Sequence, residues 1–178
     1  MHCLRRTFLC CIPLLLASCA GISLSSPQAL PRLIVQRLTW MDKVARVKQA
    51  KKLPVTDTKR EAELLDAMSK QGAALGIPAS ATRAFFIGQM DAAKRYQEAW
   101  MCAHVTDKLG NTPLPDLAKT VRPALDDIGR QMLATLASAR ALQHHSIIVA
   151  EARDRLQRAG YSHDVIAAAV SGLEDGLR

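Results

Sequence analysis

Rings and thiols are scarce in this sequence. Aromatic residues make up 4% of its 178 residues, and a chain with few rings and many small residues favours close helix packing over a β-sandwich. Four of the five cysteines (Cys3, Cys10, Cys11 and Cys19) fall in the N-terminal segment, and only Cys102 lies beyond it. The body of the chain therefore has no pair for a disulfide, and one thiol makes no metal centre. Cys102 reads as a packed thiol on a helix. There is no Gly-rich phosphate loop and no convincing Ser-His-Asp arrangement. His144-His145 and His163 lack a well-spaced third ligand, because adjacent histidines on a helix point about 100° apart. No metal and no cofactor are expected.

What is present is positive charge and apolar side chains. The formal net charge is +8 and 49% of the residues are hydrophobic. The Lys and Arg residues are spread along the chain and mixed with acids, without the aromatic-basic interleaving that stacks on bases. This argues against nucleic acid. It leaves a solvated basic surface, or a site for a small polyanion.

The first residues read as an export signal. Arg5 and Arg6 precede an apolar run from Phe8 to Ala17, too short for a comfortable membrane span. Leu16-Ala17-Ser18-Cys19 is similar to a bacterial lipobox, whose Cys is lipidated. Ordinary cleavage further on, after Ala20 or Ala29, is the alternative. Residues 1–19 are thus expected to be a signal peptide and 20–31 a short tether. The protein would be exported to the periplasm, touching a membrane only through a lipid on Cys19.

Beyond the leader the pattern is helical, with no alternating strand and no internal repeat. Leu33, Ile34, Leu38, Met41, Val44 and Ala45 predict one helix from Arg32 to Lys51. Leu53-Pro54-Val55-Thr56 reads as an extended connector. Asp57 or Thr58 caps a second helix, Thr58-Lys59-Arg60-Glu61 having the capping-box form, and Gly76 stops it. A third helix begins at Pro78-Ala79-Ser80 and reaches about Val105. After a loop over 109–115, a fourth begins near Arg122-Pro123. Its pattern continues toward Arg158, and Gly160 breaks it. Ser162 to Leu177 forms a last short helix. Trp40 and Trp100 read as packing or interface residues, and Asp126-Asp127 as a solvated pair.

Charge placement on the helix faces carries the functional signal. Arg37 falls between Val44 and Met41 on the apolar arc of the first helix, and Lys48, eleven residues on, returns to nearly the same azimuth. Burying an unpaired cation costs several kcal/mol or shifts its pKa. Snorkelling offers Lys48, near the helix end, an escape that is harder for Arg37. Arg60 lies on the Leu64 and Ala67 side of the second helix. Gln97 aligns with Phe86, Met90, Ala93 and Met101 on the third. Inward polar groups on three successive helices describe a cationic pocket for a small dianion.

These residues carry a resemblance. Arg37, Lys48, Leu53-Pro54-Val55, Asp57, Arg60-Glu61 and Gln97 within Ala93-Lys94-Arg95-Tyr96-Gln97 resemble the all-α chorismate mutases. The leader and Arg122-Pro123 after a Pro-rich loop are similar to their secreted, periplasmic (gamma) subclass. The resemblance implies a helical bundle of five to six helices over 32–178, with a core at 32–105 and C-terminal helices at 116–178. It implies chorismate as substrate, its Claisen rearrangement to prephenate, and a homodimer. Lys48 and Gln97 would donate to the breaking ether oxygen. Arg37, Arg60 and Arg122 would clamp the carboxylates. Asp57 and Glu61 would sit near the ring hydroxyl and orient the cations. Ala93 departs from the Ser or Thr often found there. The rival from another class is a non-catalytic periplasmic binding or adaptor protein, whose cations would bind another anion or pair with Asp57 and Glu61. For the leader, mass spectrometry of the membrane fraction is expected to find an acylated Cys19; an unmodified N-terminus beyond it would rule out the anchor.

Overall fold

The computed structural model describes residues 26–106, 113–142 and 145–178. They form α1 (Ala29–Thr39), α2 (Met41–Ala50), α3 (Thr58–Ala74), α4 (Ala79–Ala103), α5 (Arg122–Arg140), α6 (His145–Arg158) and α7 (His163–Leu177), with a wide π-type turn over Leu117–Val121 leading into α5. No strand occurs among the described residues. No described helix is long and apolar enough to cross a membrane. The leader, with Cys3, Cys10, Cys11 and Cys19, lies outside the described residues, as do 107–112 and 143–144 with His144.

The helix expected over Arg32 to Lys51 starts three residues earlier and is divided at one residue. Leu30 and Pro31, assigned from sequence to the tether, are buried in the first turn of α1. Trp40 keeps right-handed helical angles, but its N–H bonds back three residues to Arg37 O. The i→i−4 ladder resumes with Val44 N–H on Trp40 O. One tightened turn therefore joins α1 to α2, and they behave as a single bent rod. With that pair counted once, the described residues form six helices.

The ends of three helices share one device. In the Schellman motif the chain turns left-handed just past the helix and two amides close back on its last carbonyls. Gly76 (φ 75°) ends α3 in this way and Gly160 (φ 79°) ends α6. At α2 the left-handed residue is Lys52 (φ 53°), with Lys52 N–H on Gln49 O and Leu53 N–H on Lys48 O. The connector 53–56 thus begins with a closed cap as well as the expected Pro54.

Helix α4 is the axis of the bundle and packs on α2, α3 and α7. Its closest neighbour is α7, which it meets through glycine. A Cβ on Gly88 would stand 2.5 Å from Gly172 Cα, and one on Gly172 would stand 2.7 Å from Gly88 Cα. Backbone cannot retreat as a side chain can, so this contact fixes α4 from behind. Gln89 donates across the same seam to Ala169 O at 3.0 Å.

Two further expectations fail. The fourth helix does not continue to Arg158. It ends at Arg140, where Ala141 and Leu142 form a turn before α6. Apolar periodicity persists on both sides, and it carries no mark of a break that lacks Gly and Pro. Cys102 is exposed rather than packed, because it lies on the solvent side of the last turn of α4. Trp100 stacks on His104 with ring centroids 4.0 Å apart. Trp40, half-buried, carries Lys43 Nζ over its ring at 4.2 Å.

The glycine seam yields a prediction. Gly88→Ala should destabilise the fold by about 1–3 kcal/mol, the usual cost of overpacking, read as a lower urea midpoint. Gly129→Ala, whose nearest neighbour is the flexible Met68 side chain at 3.4 Å, should cost less.

Candidate active site

One cavity lies where α1, α2, α3, α4 and α5 converge. Its volume is about 140 Å3, on a measure where one water needs roughly 10–15 Å3, so it has room for one compact ligand. Its walls include Met41, Val44, Leu64, Phe86, Met90 and Val121. Every residue assigned from sequence to the pocket lines it: Arg37, Lys48, Asp57, Arg60, Glu61, Gln97 and Arg122. Helix phase explains the first two, since the tightened turn at Trp40 keeps both on the inner face.

Arg37 lies deepest. It is 7% exposed, and its Nη1 has no hydrogen-bond partner among the described residues. Desolvation pulls its pKa down to about 10, and the charge of Asp126 opposes that fall. Arg37 nonetheless stays charged at neutral pH, as a buried cation in the cavity wall with an unused donor.

Lys48 is half-buried and donates from Nζ to Val55 O at 2.5 Å. Desolvation lowers its pKa; Asp57 and Glu61 raise it, and Arg122 lowers it further. An ammonium has three N–H donors, so two remain for a ligand while the third fixes its aim. Gln97 is 4% exposed. Its Nε2 donates to Ala93 O at 3.0 Å and approaches Met41 Sδ at 3.5 Å. The hydrogen on Met41 Sδ has only a weak acceptor, which a ligand oxygen can replace, and the buried Oε1 is unpartnered.

The carboxylates order the cations. Asp57 caps α3, one oxygen accepting from Arg60 N–H at 3.1 Å. Its other oxygen accepts from Arg122 Nη2 at 3.4 Å, tying the start of α3 to the start of α5. Of the two caps expected, Asp57 rather than Thr58 serves. Glu61 meets Lys94 Nζ at 3.3 Å, and Lys94 also meets Asp91 at 3.0 Å.

Two members of the site were not singled out from sequence. Lys94 lines the cavity, three residues before Gln97 and four after Met90, a spacing that places it on the inner edge of α4. Asp126 corrects the solvated-pair expectation. It lines the cavity, and both its oxygens accept from Arg60 Nη2, at 2.6 and 2.9 Å. Asp127 alone faces solvent, held by Arg130 and Gln131. The available signal was position: Asp126 is four residues after Arg122 and shares its face. Arg122 reaches that face because Asp116 caps the π-type turn, accepting from Ala118 and Lys119 N–H at 2.7 and 2.9 Å.

The inventory has a simple electrostatic result. Five cations (Arg37, Lys48, Arg60, Lys94 and Arg122) and three carboxylates (Asp57, Glu61 and Asp126) line the cavity, leaving a net charge of +2. An apolar-walled site of this charge suits a compact dianion. Arg37 makes the cost of the arrangement measurable. Arg37→Met should raise stability by about 1–3 kcal/mol, because it replaces a desolvated guanidinium by an apolar chain of similar length. Thermal and urea unfolding would show it, and a destabilised variant would contradict it.

Comparison with known proteins agrees with this geometry. A family model for chorismate mutase type II matches residues 28–98, the span from the start of α1 into α4. A solved chorismate mutase from Burkholderia thailandensis is 28% identical, with TM-score 0.72 over 84% of this chain and 98% of that one. One from Burkholderia phymatum is 26% identical, with TM-score 0.68 over 84% and 94% of the two chains. A secreted chorismate mutase from Yersinia pestis, at 19% identity, has the same fold, with TM-score 0.74 over 83% of this chain and 96% of that one. No curated protein sequence matches. In its helical architecture, and in the family match over residues 28–98, the chain is similar to the all-helical, type II chorismate mutases.

Proposed function

We infer that the protein is a chorismate mutase, an isomerase that rearranges chorismate to prephenate. The observation that carries the reading is the meeting of Arg37, Lys48, Arg60, Gln97 and Arg122 around one apolar-walled cavity of net charge +2. The reaction is unimolecular. A C–O bond breaks and a C–C bond forms within one molecule, so no nucleophile or proton acceptor is required. What it needs is a compact conformer, and donors where negative charge grows on the ether oxygen.

The residues divide that work. Arg37, Arg60 and Arg122 hold the two carboxylates, for which the planar fork of arginine is suited. Lys48 and Gln97 donate to the ether oxygen, each such donor contributing about 3–4 kcal/mol in sites of this type. Asp57 and Glu61 keep the cations oriented beside the ring hydroxyl. Export to the periplasm, lipidation of Cys19, cleavage of residues 1–19 and assembly as a homodimer belong to the same proposal. The first three rest on the leader sequence, and the last on the resemblance alone.

Loss of chorismate absorbance tests the reading. Lys48→Ala should lower kcat by roughly 10²–10³-fold while circular dichroism stays unchanged; undiminished turnover would refute the assignment. The pH profile tests both donors. Lys48 donates while protonated, so the rate should fall as pH rises through its lowered pKa, below the ordinary lysine value of 10.5. Gln97 is uncharged, so the rate should be flat through neutral pH. Gln97→Glu should make it fall between mildly acidic and neutral pH, since a carboxyl donates only when protonated.

A further inference from the structure

Asp126 is placed differently from the other two carboxylates of the cavity. Asp57 is committed to the α3 cap and Arg122, and Glu61 to Lys94. Asp126 has both oxygens on Arg60, and its charge also reaches buried Arg37. Arg37 has an unpartnered Nη1, so Asp126 is the nearest thing to an anion that this guanidinium has while the cavity is empty.

We propose that Asp126 is the resident counter-ion of the empty cavity: it neutralises Arg37 and Arg60 until a substrate carboxylate arrives beside them, and so sets the affinity of the site for dianions. The proposal rests on the mutase reading. Without Asp126, two neighbouring cations would face an empty apolar hole. With it, each entering carboxylate meets a fixed like charge at Arg60. Substrate and product are both dianions, so the same repulsion that weakens entry hastens release of prephenate. Asp126 is therefore an affinity-setting residue, acting through Arg60 and Arg37 rather than on the reacting atoms.

The test compares Asp126→Asn with Asp127→Asn, its neighbour outside the cavity. D126N should lower KM for chorismate and the inhibition constant of prephenate by about three- to tenfold, as one lost like charge in a partly solvated site allows. The salt dependence of KM should steepen. Its thermal midpoint without ligand should fall, and prephenate should raise that midpoint by more than in the wild type. Asp126→Glu, which keeps the charge, should return KM toward wild type, and D127N should change none of these values. A raised KM in D126N would make Asp126 a holder of Arg60 and overturn the proposal. Unchanged KM and salt slope, or an equal effect in D127N, would overturn it too. If D126N does not fold alone, recovery by salt or prephenate supports the proposal, and failure to recover refutes it. The wild type is assayed alongside. No turnover there would undo the mutase reading, whereas an active wild type with an unmoved D126N undoes only the role of Asp126.

Discussion

A buried guanidinium with no full hydrogen-bond partner sets the terms for the rest of this protein. Arg37 is buried on the inner face of α1, its Nη1 unbonded. Such a group is tolerated only where surrounding charge offsets its desolvation. The arrangement around it reads as that offset: Asp126 on α5, itself engaged by Arg60 on α3, then Asp57 bridging to Arg122, and Glu61 bridging to Lys94. The pairs cross between helices, so they specify which helix faces which, and at what rotation. Each is partly exposed and contributes little stability alone. Their value is in orientation.

The apolar part of the fold serves the same end from the opposite side. Glycine contact between α4 and α7 leaves no slack behind α4. The face carrying Met90, Ala93, Lys94 and Gln97 is thus presented to the cavity from a rigid support. Preorganised donors stabilise developing charge because they need not reorganise when it appears. Helix α7, which contributes no residue to the cavity lining, immobilises the helix that holds Gln97.

Much of this was legible in the sequence, for identifiable reasons. Helical periodicity located the helical segments, though it joined α1 to α2 and α5 to α6, and Gly76 and Gly160 marked two ends because a left-handed residue there favours glycine. Arg37 and Lys48 were found because charge on an apolar arc is conspicuous. Lys52 and the break after Arg140 were not found, because a lysine in the left-handed region and a turn made of Ala and Leu leave no compositional mark. Asp126 escaped notice for a subtler reason. Its phase was readable from Arg122, but whether a carboxylate on the edge of a helix meets solvent or another helix depends on the distance to α3. That distance is a tertiary quantity. Cys102 is the converse case: helical placement suggested packing, and the bundle left its side uncovered.

The contact between Lys48 and Val55 carries a consequence of another kind. The ammonium is aimed by a main-chain carbonyl, an atom that every residue type possesses. As far as that aim is concerned, position 55 is free to drift in sequence without disturbing the donor. What must be kept is the path of the backbone, and that is held by the closed turn at Lys52 and by the proline that follows. Two residues outside the cavity lining thus constrain the aim of Lys48 more than the side chain of Val55 does, although Val55 itself lines the cavity.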